Sequence, residues 1–302
     1  CGMEDIMKLV ENEFIKFMEK FDENPFRIIL EDGEHLIGDG EPAFTVKINK
    51  IPKMMDMLIS TSITLGEAYM NGDIEIEGDL YTALNMFLGQ MGKFSTDTKK
   101  LKNIIFTSKS KANQKKEVSS HYDIGNDFYK MWLDETMSYS CGYFKNENDT
   151  LYQAQCNKVD RILEKLGCGW GFLLIEAAKK YNIKGVGITL SKEQKAKFEQ
   201  RIKEENLSDR LEVKLLDYRD LPKQHMEFDR VVSVGMIEHV GRGNYEEFMQ
   251  CVKSVLKQGG VFVLHFISAL KEYPGDAWVK KYIFPGGVIP SLREIMQIAG
   301  EL

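Results

Sequence analysis

The run Gly-Cys-Gly-Trp-Gly at 167–171 stands directly before a helical pattern, "FLLIEAAKKY". A glycine-rich turn at a helix start aims backbone N–H groups at a ligand. No lysine follows the glycines, which excludes a phosphate-cradling P-loop. Thr189 ends the apolar run "IKGVGITL" without the acid that a dinucleotide ribose requires. In "LLDYRDL", Asp217 stands at a further strand end, where it can accept from an adenine amino group while Tyr218 packs on the ring; the alternative for Asp217 is a helix N-cap. Glu238 and His239 follow the next strand, and on their own they read as ordinary helix-start residues. His265, taken alone, reads as a satisfied core histidine.

These residues need a scaffold that sets them side by side. From 183 onward, four apolar β-rich runs (183–190, 211–217, 228–240 and 259–268) alternate with helical patterns at 192–205 and 245–256. Such alternation predicts an α/β domain with a parallel sheet and helices on both faces. Ligands of that architecture bind at the carboxyl ends of the strands, where Gly167, Gly169, Thr189, Asp217 and Glu238 fall. One strand is missing from the pattern. A helix predicted over 151–166 runs straight into Gly167, where a buried strand is expected to precede the turn.

The first 97 residues have another texture. Ile6, Met7, Val10, Phe14, Phe17, Met18 and Phe21 recur at three- and four-residue spacing and predict an amphipathic helix that packs on a core. Short β-type runs and Met-rich helical patterns follow, which together predict a small α+β domain. This part carries 19 acidic against 8 basic side chains, whereas Thr98 to Lys116 holds seven lysines and no acid. Interleaved with Leu101, Ile104, Ile105 and Phe106, the lysines suit either a solvated linker or an anionic membrane surface. The expected partition is 1–97, a basic linker at 98–118, and a second domain at 119–302.

Composition narrows the classes. With 302 residues and 43% hydrophobic content the chain can form about two cored domains. No run approaches the ~20 apolar residues of a membrane span, so the pattern predicts a soluble, cytoplasmic protein. Five cysteines without metal-ligand spacing suggest neither a disulfide framework nor a metal site. A formal net charge of −6 argues against a nucleic-acid binder.

The ordered set "HYDIGNDFYKMWLDETMSYSCGYF", "LYQAQCNKVDRILEKL", "GCGWG", "GITLSKEQ", "MIEHVG", "LHFIS" and "KYIFPGG" resembles the cyclopropane fatty acyl phospholipid synthase family over residues 119 to about 291. The resemblance implies a Rossmann-like class I S-adenosylmethionine (AdoMet) methyltransferase domain with a smaller N-terminal α+β domain for lipid binding or dimerisation. It also implies that the strand absent before Gly167 belongs between 166 and 167, and that the family's chain continues past Leu302.

The implied reaction adds the AdoMet methyl group as a methylene bridge across a cis double bond of a membrane phospholipid. An alkene is a poor nucleophile, so positioning must do most of the work. The resulting cation needs a water-poor cavity and then a base. The resemblance supplies a bound bicarbonate ion, held by Cys141, Glu238, His265 and the backbone of Ile267. These groups have complementary donors and acceptors for it. Covalent catalysis by Cys141 with His265 is the competing role, but no third orienting group is visible.

For AdoMet the resemblance implies Tyr139 and Ser140 at the methionine end, Gly167 and Gly169 for close backbone approach, Thr189 and Gln194 beyond the second strand, and Asp217 with Tyr218 at adenine. It places several of His121, Tyr122, Tyr129, Tyr139 and Tyr143 around cofactor and cation, where an aromatic face stabilises positive charge. A homodimer and peripheral contact with the inner membrane face are expected. Methyl-branching chemistry on another acceptor and non-catalytic binding of lipid or AdoMet are the rival functions.

Overall fold

A computed structural model describes residues 3–90, 93–94, 110–163, 171–272 and 275–300. The chain divides into two compact units, Cys1–Ile105 with Asp276–Tyr282, and Phe106–Gly275 with Ile283–Leu302.

In the first unit, helix α1 (Met3–Met18) carries the predicted apolar stripe. Phe14, Phe17, Met18 and, just beyond the helix, Phe21 are buried, whereas Val10 is exposed. Strands β1 (Phe26–Leu30), β2 (Gly33–Ile37), β3 (Phe44–Ile48) and β4 (Ile74–Gly78) form one mixed sheet in the order β2-β1-β3-β4. The alternating burial of β1 and β3 turns Phe26, Ile28, Phe44 and Val46 inward. Short helices α2 (Met54–Ile59), α3 (Thr61–Met70) and α4 (Leu80–Gly89) complete the unit. Asp79 caps α4 through the N–H groups of Tyr81 and Thr82. Phe26 and Phe44 stack with ring centroids 5.3 Å apart, and Phe87 meets both edge-on. Burying each such side chain contributes about 1.5–3 kcal/mol.

The second unit starts with helix α5 (Lys111–Tyr122), followed by α6 (Asn126–Lys130), α7 (Leu151–Leu163) and α8 (Phe172–Tyr181). Part of the expected linker is therefore helix: Lys111 to Val118 open α5. The remainder of that linker up to 109, and the suspected break at 166/167, lie outside the described residues. Next come β5 (Gly185–Thr189), α9 (Lys192–Glu204), β6 (Leu211–Leu215), a 3-10 helix (Tyr218–Gln224) and β7 (Phe228–Val234). Helices α10 (Ile237–Val240) and α11 (Tyr245–Val255) lead to β8 (Leu256–His265). Helix α12 (Ala277–Tyr282) precedes α13 (Leu292–Gly300).

One expectation needs correction. The sequence assigns 119–302 to one domain, yet α12 packs with the first unit. There, Lys281 and the Tyr282 hydroxyl both bind Glu67 of α3, and Gly66 leaves the room that Trp278 fills. The expected parallel α/β arrangement is present, its described strands forming two parallel pairs, β5-β6 and β7-β8. Among the described residues no strand lies between α7 and α8 to bridge them. The inner edges of β5 and β7 accordingly line a cavity, and most of their residues are only half-buried.

Candidate active site

A cavity of about 1070 Å³ runs along β5 and β7 of the second unit and reaches their carboxyl ends. Tyr139, Ser140, Thr189, Gln194, Asp217 and Tyr218 all line it; Gly167 and Gly169 lie outside the described residues. Thr189 closes β5, and its hydroxyl donates to Gln194 Oε1 at 2.6 Å while accepting from the Ser191 N–H. Asp217 follows β6 and caps the 3-10 helix through the Arg219 N–H. The same carboxylate is gripped by the Arg219 guanidinium at 2.7 and 2.8 Å. Of the two roles weighed for Asp217 the cap is the one seen, on a residue that also lines the cavity.

Tyr218 is buried against Phe248, and burial pushes its phenol well above the ordinary range. Its hydroxyl and that of Ser233, both on the cavity wall, are buried polar atoms without a partner among the described residues. Such atoms are costly unless a ligand or water satisfies them. The donors and acceptors present fit a nucleoside with an amino-acid tail. Gly171, the third glycine of the turn, has φ +84°, and a Cβ there would overlap the Phe198 ring. It lets α8 start close against α9, a role the sequence reading left unassigned.

A second cluster stands at the carboxyl ends of β7 and β8. Glu238, on the short α10, accepts the Ile267 N–H at 2.8 Å through Oε1. Its other oxygen, Oε2, is buried and unpartnered among the described residues, as is Nδ1 of His265. Burial raises the Glu238 carboxyl, opposed by the Ile267 N–H. Burial, and then the charge of Lys158, hold the His265 imidazole below its usual range. The Ile267 amide that the resemblance gives to an anion is taken by Glu238 here, while two other buried polar atoms of the cluster remain to be satisfied. They fit a small ion that both donates and accepts.

Cys141 is exposed at the end of the loop 134–141. That loop is fastened from two sides. Arg201 binds the carbonyls of Glu135 and Thr136, and Gln155 donates to those of Ser138 and Ser140 at 3.2 and 2.9 Å. Between these ties Met137 adopts φ +58° and is buried, a strained conformation that persists only where its surroundings over-determine it. Lys158, 5% exposed, donates to Ser140 Oγ at 2.7 Å and also binds Gln155 Oε1.

An aromatic group flanks the cavity. Tyr139 stacks on His121 and Phe284 and meets Trp132 edge-on; Tyr129 packs alongside and donates to the His121 carbonyl. His239, also on the cavity wall, lies 6.0 Å from His121 between ring centroids, and burial followed by that neighbour brings it down to about 4. Tyr143 stands apart, exposed beneath Arg161, and the Tyr122 side chain lies outside the described residues. Sequence reasoning gave no role to Phe284, Trp132 or Lys158. Phe284 was visible within "KYIFPGG", and Lys158 stands three residues after Gln155 on one helix face.

Comparison with known proteins agrees with this arrangement. The family described as mycolic acid cyclopropane synthetase matches residues 109–302, and a domain of unknown function, DUF7884, matches 14–99. A probable fatty acid methyltransferase of Pseudomonas putida is 37% identical over 90% of this chain and 73% of its own. Cyclopropane-fatty-acyl-phospholipid synthase of Escherichia coli K12 is 36% identical over 91% of this chain and 75% of its own. The solved mycolic acid cyclopropane synthase CmaA1, complexed with SAH and CTAB, superposes with a TM-score of 0.55 at 31% identity, covering 62% of this chain and 73% of that one. With its cavity at the strand ends and its second unit matched throughout, the chain belongs to the mycolic acid cyclopropane synthetase family and is an AdoMet-dependent methyltransferase.

Proposed function

We propose that this chain is a cyclopropane-fatty-acyl-phospholipid synthase that builds a methylene bridge across a cis double bond of a phospholipid acyl chain. The observation that carries the reading is the pair of buried, unpartnered atoms, Glu238 Oε2 and His265 Nδ1, at the strand ends. When bound, AdoMet supplies an electrophilic methyl group. Transfer of that methyl to an alkene carbon would break its bond to the sulfonium sulfur and release S-adenosylhomocysteine; loss of one methyl proton to a base then closes the ring, so the lipid gains one CH2 and one proton is released.

Tyr139, Trp132 and Phe284 keep water from the positive charge that develops on the acyl chain, and their faces stabilise it. Cys141, Glu238 and His265 would hold a bicarbonate ion, which supplies a base. Glu238, kept in place by the Ile267 N–H, orients that ion's hydrogen, and the neutral His265 ring donates to it or accepts from it. No described helix is long and apolar enough to cross a membrane. The enzyme meets its lipid by peripheral contact, as a homodimer, with the first unit contributing lipid or subunit binding.

The test is product identity. Full-length chain incubated with AdoMet and vesicles of unsaturated phosphatidylethanolamine should yield lipid with one added CH2, no double bond and upfield cyclopropane protons by NMR. The similarity to a probable fatty acid methyltransferase favours methyl branching as the second reading; a branched product without a ring would establish it. AdoMet binding without any product would contradict both.

A further inference from the structure

Among the described residues, the groups assigned above to the anion include no cation. Cys141, the Ile267 amide and the neutral His265 carry no positive charge, and Glu238 contributes a carboxyl group. An anion seated among them needs a compensating charge nearby, because burying one unpaired is costly.

Lys158 is placed to provide it. Its ammonium is buried and bonds Ser140, the residue that precedes Cys141. Two of the three N–H groups of an ammonium are accounted for by Ser140 and Gln155. The side chain also lines the cofactor cavity, and its charge acts on His265. Resting on the bicarbonate reading above, we propose that Lys158 is a positioning residue that fixes the Ser138–Cys141 loop and whose positive charge retains the anion at Cys141, Glu238 and His265.

The charge itself is conditional. Burial brings Lys158 down to about 8, against the opposing charge of Asp134; the Cys141 thiol faces it from the same loop and His265 from β8. Protonated at neutral pH, the side chain loses its charge as pH rises through that value.

The experiment titrates 13C-bicarbonate into the AdoMet-loaded, full-length chain, read by calorimetry and 13C NMR, with AdoMet Kd and circular dichroism measured in parallel. Lys158→Met should weaken bicarbonate binding about tenfold or more, the scale of a lost charge-assisted contact. AdoMet Kd, which reads the same loop through Tyr139 and Ser140, should rise by clearly less, and Lys158→Arg should recover most of the bicarbonate loss. In Lys158→Met the His265 ring should also titrate higher, having lost a positive neighbour. Wild-type bicarbonate affinity should decline between pH 7 and 9, a readout that needs no variant to fold.

Unchanged bicarbonate affinity in Lys158→Met, or an affinity flat across that pH range, would overturn the assignment while leaving the anion site standing. Equal losses of AdoMet and bicarbonate binding in both variants would reduce Lys158 to a structural residue. Wild-type protein that binds no bicarbonate would overturn the underlying reading as well.

Discussion

The two units differ in how far their strands pair among the described residues. In the first, four strands pair without interruption and cover a core of phenylalanine, methionine and aliphatic residues. In the second, the described residues show two parallel pairs with a cavity along their inner edges, and its walls hold the buried hydroxyls of Tyr218 and Ser233 and the shifted His239. The contrast teaches where chemistry can be placed. The apolar sheet serves stability, whereas the polar groups along the cavity are the ones a cofactor can meet.

That difference can be broken deliberately. Phe26→Ala removes the centre of the first core and should cost about 3–5 kcal/mol in a denaturant titration, with the loss confined to the transition of the first unit. A matching loss of AdoMet binding would show that the two units do not unfold separately.

Acid should act the other way. His239 is held at about 4, below the 6.5 of an unfolded histidine. Between those values the unfolded chain binds a proton that the folded chain does not, so stability falls as pH drops from about 6.5 towards 4. The second unit should lose roughly 2–3 kcal/mol over this window, followed by calorimetry, while the first core is unaffected by this term. His239→Phe should flatten the profile.

A smaller effect sharpens the comparison on the first unit. Asp79→Ala removes the cap of α4 and should lower stability by about 1 kcal/mol, with Asp79→Asn recovering part of it. Melting curves of the three proteins would check this, and a loss in the second unit's transition would contradict it.

Much of this contrast was legible in the sequence. Alternating apolar residues marked β1 and β3, and three- and four-residue spacing marked the buried face of α1, because those periods follow from backbone geometry. The ordered motifs carried Glu238, His265 and the cavity-lining set. The strand expected before Gly167 falls on 164–170, outside the described residues.

What escaped depended on distant contacts. Nothing local assigns 277–282 to the first unit, since its ties are to Gly66 and Glu67, more than 200 residues earlier. The pairing of His239 with His121 and the clasp of Lys158 and Gln155 on 138–140 arise likewise from tertiary placement. Asp217 resolved in the opposite direction: its bland role as a cap proved compatible with a place on the cavity wall.

The central claim is that Glu238 serves proton removal and not cofactor binding. Its most direct test measures AdoMet Kd and single-turnover rate side by side in wild type and Glu238→Gln. The account predicts a rate lower by about a hundredfold, the size of a lost positioned base contribution, with Kd within about threefold. A variant that loses both in proportion, or keeps its rate, would contradict it.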